Sequence, residues 1–274
     1  MRKISIALAL VLVLSGCQTG MTWTKYAIDS HRTGVTVPTA DNVAEAIGVV
    51  DTVSGIYTAP NGRVFSDGVT PKVAELLIEA QPAMAEVKEV IAHSTRAMHA
   101  HAPESELSNF VADFIRNETS KLVKRPVDFA ITNFGGIRVD MPEGDVTLDD
   151  IRSMFPFINK LCYLELKGED LLVLLNQLAE RKIQCVSGVR MVIDNHKLES
   201  AEIGGKPINP GKYYGVATVD FLLDGGDDLF VARNARKLIQ TDVVVGKAME
   251  AYVRSLTAEG KPIEYQTDGR VIVK

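Results

Sequence analysis

The sequence predicts a mixed α/β fold in which helices pack on sheets. Two observations carry that prediction. Apolar residues recur at helical spacing in several long segments, and the stretches between them read as strands bounded by Gly, Asn and Pro turns. Helical segments alternate with strand pairs along the chain, the pattern of layered domains. The bulk properties allow it: 274 residues suit one large domain or one domain with an extension, and 46% apolar with 24% charged residues is ordinary globular composition. A net charge of -5 and the lack of any basic tract argue against nucleic acid as a partner.

The first element is a targeting signal. Arg2 and Lys3 precede residues 4–14, which are apolar except for Ser5, and Leu14-Ser15-Gly16-Cys17 follows. An apolar run of about a dozen residues is short for a membrane span and fits a signal peptide. The expectation is a bacterial lipoprotein signal over residues 1–17 with a lipobox, leaving Cys17 as the acylated first residue of a chain anchored in the cell envelope, on its periplasmic or surface face. The competing reading is a plain secretory signal with a chance cysteine. An exported chain can meet an oxidising environment, so Cys162 and Cys185 are either bridged, if their strands are neighbours, or buried as free thiols.

Residues 18–84 are expected to form a tether, an irregular arm and a leading helix. Ala59-Pro60-Asn61-Gly62-Arg63 is a turn, and from Pro71 the spacing of Val73, Leu76, Leu77 and Ala80 predicts one apolar helical face. Residues 85–274 are expected to form the main domain. A strand over 86–94 is followed by a helix over 103–118, whose stripe is Leu107, Phe110, Val111, Phe114 and Ile115. A strand over 126–132 feeds a loop carrying Asn133, Gly135 and Gly136. Thr147 caps the next helix, with Asp149 and Asp150 in the first turn where negative charge is favoured. A strand over 161–168 and a largely buried helix over 169–182 come next. Strands are predicted over 187–194, 198–205 and 212–219, then a last helix over 241–256 and a short C-terminal strand pair.

Three stretches have the character of a ligand site: "ITNFGGIR" at 131–138, "FPFIN" at 155–159 followed by "LELKGEDL", and "VDFLLDGGDD" at 219–228. With "PESELSNFVADFI" ahead of them, they resemble in this order the motifs of the C-terminal domain of the 5'-nucleotidase family, across roughly residues 85–255. The resemblance implies a four-layer α/β/β/α domain holding the nucleoside part of a nucleotide. It implies a base held between two phenylalanines, matched here by Phe157 and Phe221. The matched polar contacts are Asn133, Gly136, Arg138 and Asp227, and Asn159 at the end of "FPFIN" is counted with them. The chemistry of the residues agrees. Gly135 and Gly136 let backbone approach a ligand closely, and Arg138 offers a fork of donors to phosphate or carboxylate oxygens. Phe157 and Phe221 offer stacking faces worth ~1–3 kcal/mol per base. Asp227 can accept from both ribose hydroxyls.

Two departures qualify the resemblance. A basic residue usual before the family's helix is replaced in the region of Ala102 and Pro103, so the phosphate grip rests on Arg138 unless Arg96 or His99 reaches in; Ser108 stands where glycine is frequent. Full-length relatives also carry an N-terminal metallophosphoesterase domain with Asp-x-His, Gly-Asn-His-(Asp/Glu) and His-x-His motifs. Asp29-Ser30-His31 and His99-Ala100-His101 imitate fragments of that set, but no Gly-Asn-His occurs, and a two-metal site needs more ligands. No calcium loop, Walker loop or nucleophile elbow occurs either.

The sequence therefore points to a domain that binds nucleosides or nucleotides, with no catalytic or metal-ligating residue and no cofactor of its own. It is expected to be the substrate-recognition half of a nucleotide phosphatase, inactive alone, whose divalent metals belong to a separately encoded metallophosphoesterase. A non-catalytic envelope module that captures nucleosides is the alternative, and a degenerate domain without ligand is a third reading. Base preference and phosphate number are not legible in the sequence.

Overall fold

The computed structural model describes residues 38–274, so Cys17 with its lipobox and Asp29-Ser30-His31 lie outside the described residues. A short helix α1 (Val43–Ala46) leads into a small antiparallel sheet of β1 (Val49–Val50), β2 (Tyr57–Thr58) and β3 (Val64–Phe65). The turn expected near Asn61 is present, with the Gly62 N–H donating to the Ala59 carbonyl at 2.8 Å.

Helix α2 (Thr70–Ala80) has Pro71 in its first turn as expected, but its apolar stripe is not its packing face. Val73, Leu76 and Leu77 are 52%, 66% and 47% exposed, while Pro71 and Ala74 are buried. The helix rests on β1 and β2, strands of two residues each. So small a surface is approached closely only by small side chains, and the larger ones stay outside.

The main body follows. The strand expected over 86–94 is β4 (Val90–Ser94), preceded by a single 3-10 turn. Helix α3 (Glu106–Val123) buries the predicted stripe of Leu107, Phe110, Val111, Phe114 and Ile115. Its N-terminus is closed by a capping box: the Ser105 hydroxyl accepts the Ser108 N–H, and the Ser108 hydroxyl accepts the Ser105 N–H. Ser108 thus has a structural task at the position where the family often has glycine. After α3 come β5 (Phe129–Thr132), β6 (Gly144–Thr147) and α4 (Leu148–Met154), whose cap is Thr147 paired with Asp150. Then follow β7 (Lys160–Lys167), α5 (Gly168–Glu180), β8 (Cys185–Ser187), β9 (Val189–Asp194), β10 (Lys197–Ile203), β11 (Lys206–Pro207) and β12 (Tyr213–Val219). The chain ends with β13 (Lys237–Val244), α6 (Val245–Ala258) and β14 (Val271–Val273).

Two sheets organise this body, a five-stranded one in the order β13-β7-β12-β5-β8 and a four-stranded one in the order β11-β10-β9-β14. α3 lies across β5, β7, β8 and β12, and α5 packs on β7 and β10. The mixed α/β architecture is the one expected. The sheets part at Gly188, which stands between β8 and β9 with φ at 78°. A Cβ there would lie 2.1 Å from the Asp128 carbonyl, so conformation and space both require glycine.

Two expectations need correction. The last helix starts at Val245, because residues 241–244 finish β13, a strand whose last four residues the helical reading had absorbed. The β-branched run there fits a pleated strand better than a helix. The C-terminal strand pair is a single strand, β14, which joins β9 in parallel. Of the two readings for Cys162 and Cys185, the buried free thiol is the one found: they lie on β7 and β8, with β12 and β5 between those strands. At ~4.8 Å per strand they stand well beyond disulfide reach. Burial pushes the Cys162 thiol up to about 12, which keeps it protonated and unreactive.

Candidate functional site

Strand order brings the three sequence stretches to one end of the five-stranded sheet. β12 runs parallel to β5, with Ala217 beside Ala130, so the chain leaves both strands on the same side. β7 is antiparallel to β12, with Leu161 beside Val219, so the segment entering β7 arrives at that same end. The loop after β5, the "FPFIN" segment and the loop after β12 therefore meet. They enclose a cleft of about 290 Å³ lined by Asn133, Gly135, Gly136, Arg138, Phe157, Asn159, Phe221 and Asp227. All seven residues singled out by sequence are among them.

Each side chain is held for a local reason. Asn133 is 5% exposed at the end of β5 and donates through Nδ2 to Asp227 Oδ2 at 3.0 Å. Its Oδ1 is buried without a hydrogen-bond partner. A carboxylate accepts only, so the donor end of the amide must face Asp227 and the acceptor end must face away. A Cβ on Gly136 would come within 2.9 Å of that Oδ1, and one on Gly135 within 3.3 Å of Nδ2. The glycines were expected to let backbone approach a ligand. Within the protein, the group they make room for is the Asn133 side chain.

The loop after β12 turns on a second pair of glycines. Gly225 has φ at 101°, and a Cβ on Gly226 would sit 2.0 Å from the Phe221 carbonyl. Asp227 follows at φ 49° and ψ 35°, which turns its carboxylate back toward Asn133. Phe157 and Phe221 are each 46% exposed, an unusual state for phenylalanine, and both border the cleft. The Arg138 guanidinium lies 5.8 Å from the Phe157 ring centroid. Among the described residues, its hydrogen-bond partner is the Gly135 carbonyl at 3.3 Å. Asn159 is fixed through its carbonyl, which accepts the Val245 N–H at the start of α6 at 2.9 Å.

Arg96 and His99, considered for the phosphate end, do not line the cleft. His99 Nδ1 instead lies 2.7 Å from Asp140 Oδ2, and the exposed His101 lies with Nδ1 3.3 Å from the Ala102 carbonyl. Among the described residues, no group of three or more His, Cys, Asp or Glu is gathered in a metal-holding arrangement.

Two residues of the site escaped the sequence reading. Asp220 Oδ1 accepts the Lys160 N–H at 3.0 Å and the Phe221 N–H at 2.9 Å, joining the "FPFIN" exit to the Phe221 loop. Gln184 is 1% exposed, accepts the Phe134 N–H at 3.1 Å and donates to Asp227 Oδ2 at 3.4 Å. Asp220 stands inside the quoted motif and was within reach as a polar residue flanking an exposed aromatic. Gln184 sits outside every motif, and its partners are 50 and 43 residues away, so no local signal marks it.

The chain is similar to several known proteins. Protein UshA of Yersinia enterocolitica is 26% identical over 163 residues, covering 57% of this chain and 29% of that protein. The cell wall protein Lmo0130 of Listeria monocytogenes is 30% identical over 188 residues, covering 62% of this chain and 24% of that protein. Among solved structures, the 5'-nucleotidase precursor of Thermus thermophilus superposes with a TM-score of 0.65 at 25% identity, over 78% of this chain and 45% of that one. The chain thus spans under a third of the curated relatives and under half of that solved relative. The sequence profile of the family described as "5'-nucleotidase, C-terminal domain" matches residues 84–233, more than half of the 274 residues, and the chain belongs to that family.

Proposed function

We propose that this protein is the substrate-recognition half of a nucleotide phosphatase, with the metal-binding half carried by a separate metallophosphoesterase polypeptide. The observation that carries the reading is the convergence of Asn133, Gly136, Arg138, Phe157, Asn159, Phe221 and Asp227 on one cleft. Two half-exposed phenyl rings supply stacking faces for a base, and such surfaces are sequence-tolerant because every base has a π-face. The Asp227 carboxylate, held by Asn133, is an acceptor suited to ribose hydroxyls. Arg138 keeps donors free for a phosphate oxygen.

Relatives named 5'-nucleotidase, such as that of Vibrio vulnificus at 30% identity over 113 residues, support the substrate class. The cell wall protein among the relatives supports a place in the cell envelope, where acylation at Cys17 would hold the chain to a membrane. These residues hold no Gly-Asn-His motif, so the chemistry assigned to this chain is binding and orientation. A phosphate ester must lie with its phosphorus at the partner's metals while the base is clamped at a distance. Confinement of both proteins to one membrane surface would raise their effective concentration, as a linker does in a two-domain enzyme.

Stacking plus ribose contacts, less the cost of association, predicts nucleoside Kd values on the order of 10 μM to 1 mM. In the decisive assay, a metallophosphoesterase is measured on 4-nitrophenyl phosphate and on the common nucleoside monophosphates, with and without the full chain. The partner alone should cleave the generic ester but handle nucleotides poorly, and this chain should raise kcat/KM for nucleotides selectively. Phe221→Ala should abolish the gain and leave generic hydrolysis unchanged. Equal cleavage of nucleotides with and without this chain would defeat the composite enzyme and leave a non-catalytic capture module.

A further inference from the structure

We infer that Gln184 is a positioning residue for Asp227, fixing which carboxylate oxygen the cleft presents to a ligand. This rests on the nucleoside reading above and extends it to a residue outside all the motifs. Asp227 Oδ2 receives both protein donors, Asn133 Nδ2 at 3.0 Å and Gln184 Nε2 at 3.4 Å. Oδ1 receives none among the described residues and is the oxygen left for a ligand hydroxyl.

The amide is the group that the place requires. On one side the Phe134 N–H needs an acceptor, and the Gln184 Oε1 supplies it at 3.1 Å. On the other side the carboxylate needs a donor, and Nε2 supplies that. A primary amide does both within one planar group. A carboxylate there would accept from Phe134 but repel Asp227, and an aliphatic chain would do neither. Gln184 is 1% exposed, so water cannot stand in for a lost bond.

The placement joins the two halves of the cleft. Phe134 belongs to the loop after β5, Asp227 to the loop after β12, and Gln184 comes from the connection between α5 and β8. A second glutamine supports the same loop from α5: Gln177 Nε2 donates to the Asp228 carbonyl at 2.8 Å. Asp227 and Asp228 both have positive φ, at 49° and 60°, a conformation that needs outside support in a non-glycine residue.

The test is calorimetry on the full chain. The ligands are the tightest-binding of adenosine, guanosine, cytidine and uridine, and its free base, with wild type, Gln184→Met and Gln184→Glu. Wild type should bind the nucleoside more tightly than the base. Gln184→Met should weaken the nucleoside about tenfold, the order of a hydrogen bond to a charged group, and change binding of the base less than about twofold. Gln184→Glu should bind the nucleoside poorly at about pH 7 and regain affinity toward about pH 5, where its carboxyl gains a proton to share with Asp227, while wild type stays level. The pH arm stands if the methionine variant fails to fold. Loss of nucleoside and base in equal measure would show a merely structural role and overturn the inference. Unchanged nucleoside binding in both variants would overturn it too, with the nucleoside reading intact. A wild-type protein that binds none of the four nucleosides would overturn that reading and the inference with it.

Discussion

Arg270 is 7% exposed and Arg138 is open to solvent, and the two stand in opposite hydrogen-bonding situations. Arg270 donates to both oxygens of Asp113 at 2.8 and 3.0 Å, to both oxygens of Asp268 at 2.9 Å, and to the Val186 carbonyl at 3.1 Å. Asp113 also receives the hydroxyls of Ser187 and Tyr265. Burial works against the Arg270 charge, yet the bonds from Asp268 and Asp113 outweigh it and leave the pKa raised. This cluster ties the approach to β14 onto α3 and β8. Among the described residues, the Arg138 guanidinium has one carbonyl and the Phe157 ring that it lies over. An arginine whose fork is filled by carboxylates holds the fold, whereas one left with spare donors at a cleft is available to an anion.

The largest effect should come from breaking the filled fork. Arg270→Met leaves the largely buried Asp113 carboxylate without its cation, while the exposed Asp268 can turn to water, and unfolding free energy should fall by about 3 kcal/mol, since removing one member of a buried pair strands the other. Urea denaturation of the full chain measures it. A loss under ~1 kcal/mol would place Arg270 with ordinary surface pairs and erase the contrast.

Next come the exposed rings. Phe157→Ala and Phe221→Ala should each cost ~1–3 kcal/mol of nucleoside binding. Stability should change little, because half of each ring already meets water. Arg138→Ala should weaken nucleoside monophosphate binding by ~1–2 kcal/mol, leave the nucleoside nearly unaffected and keep the denaturation midpoint in place. Arg138→Lys should restore that loss only in part, since an ammonium cannot present a bidentate fork. A nucleoside loss as large as the nucleotide loss would put Arg138 at the base or ribose instead.

The smallest effect is in acid. Hydrogen bonds from Arg270 hold the Asp268 carboxyl below its ordinary 3.8, with burial opposing them. A folded value below the unfolded one adds stability that is present above the unfolded value and lost as pH falls through the folded one. The denaturation midpoint should therefore decline below about pH 4, and the decline should be shallower in Arg270→Met. Equal acid slopes in the two proteins would detach Asp268 from this effect.

Much of the site was legible because its chemistry is local. Asn-Phe-Gly-Gly, "FPFIN" and Asp-Gly-Gly-Asp each form one loop, and each loop follows or precedes a strand long enough to be read from its own residues. The same holds for Thr147 and Asp150, whose capping geometry needs one helical turn. β13 was missed where Thr-Asp-Val-Val-Val-Gly runs straight into a helix, since a β-branched run at a helix start fits either period for a few residues.

By itself, the sequence determined most element types, the Thr147 cap, the turn at Asn61 and the residues that could serve a nucleotide, because each is decided by neighbours within a few positions. The tertiary structure decided the rest. It set which face of α2 is buried, since β1 and β2 offer a surface that only Pro71 and Ala74 fit. It kept Cys162 and Cys185 apart by placing two strands between them. It also chose the oxygen of Asp227 that remains open, because the donors that occupy the other one, Asn133 and Gln184, reach it from 94 and 43 residues away. Hydrogen bonds and packing act through space at a few ångströms, and the chain brings those partners together only once its strands have taken their order.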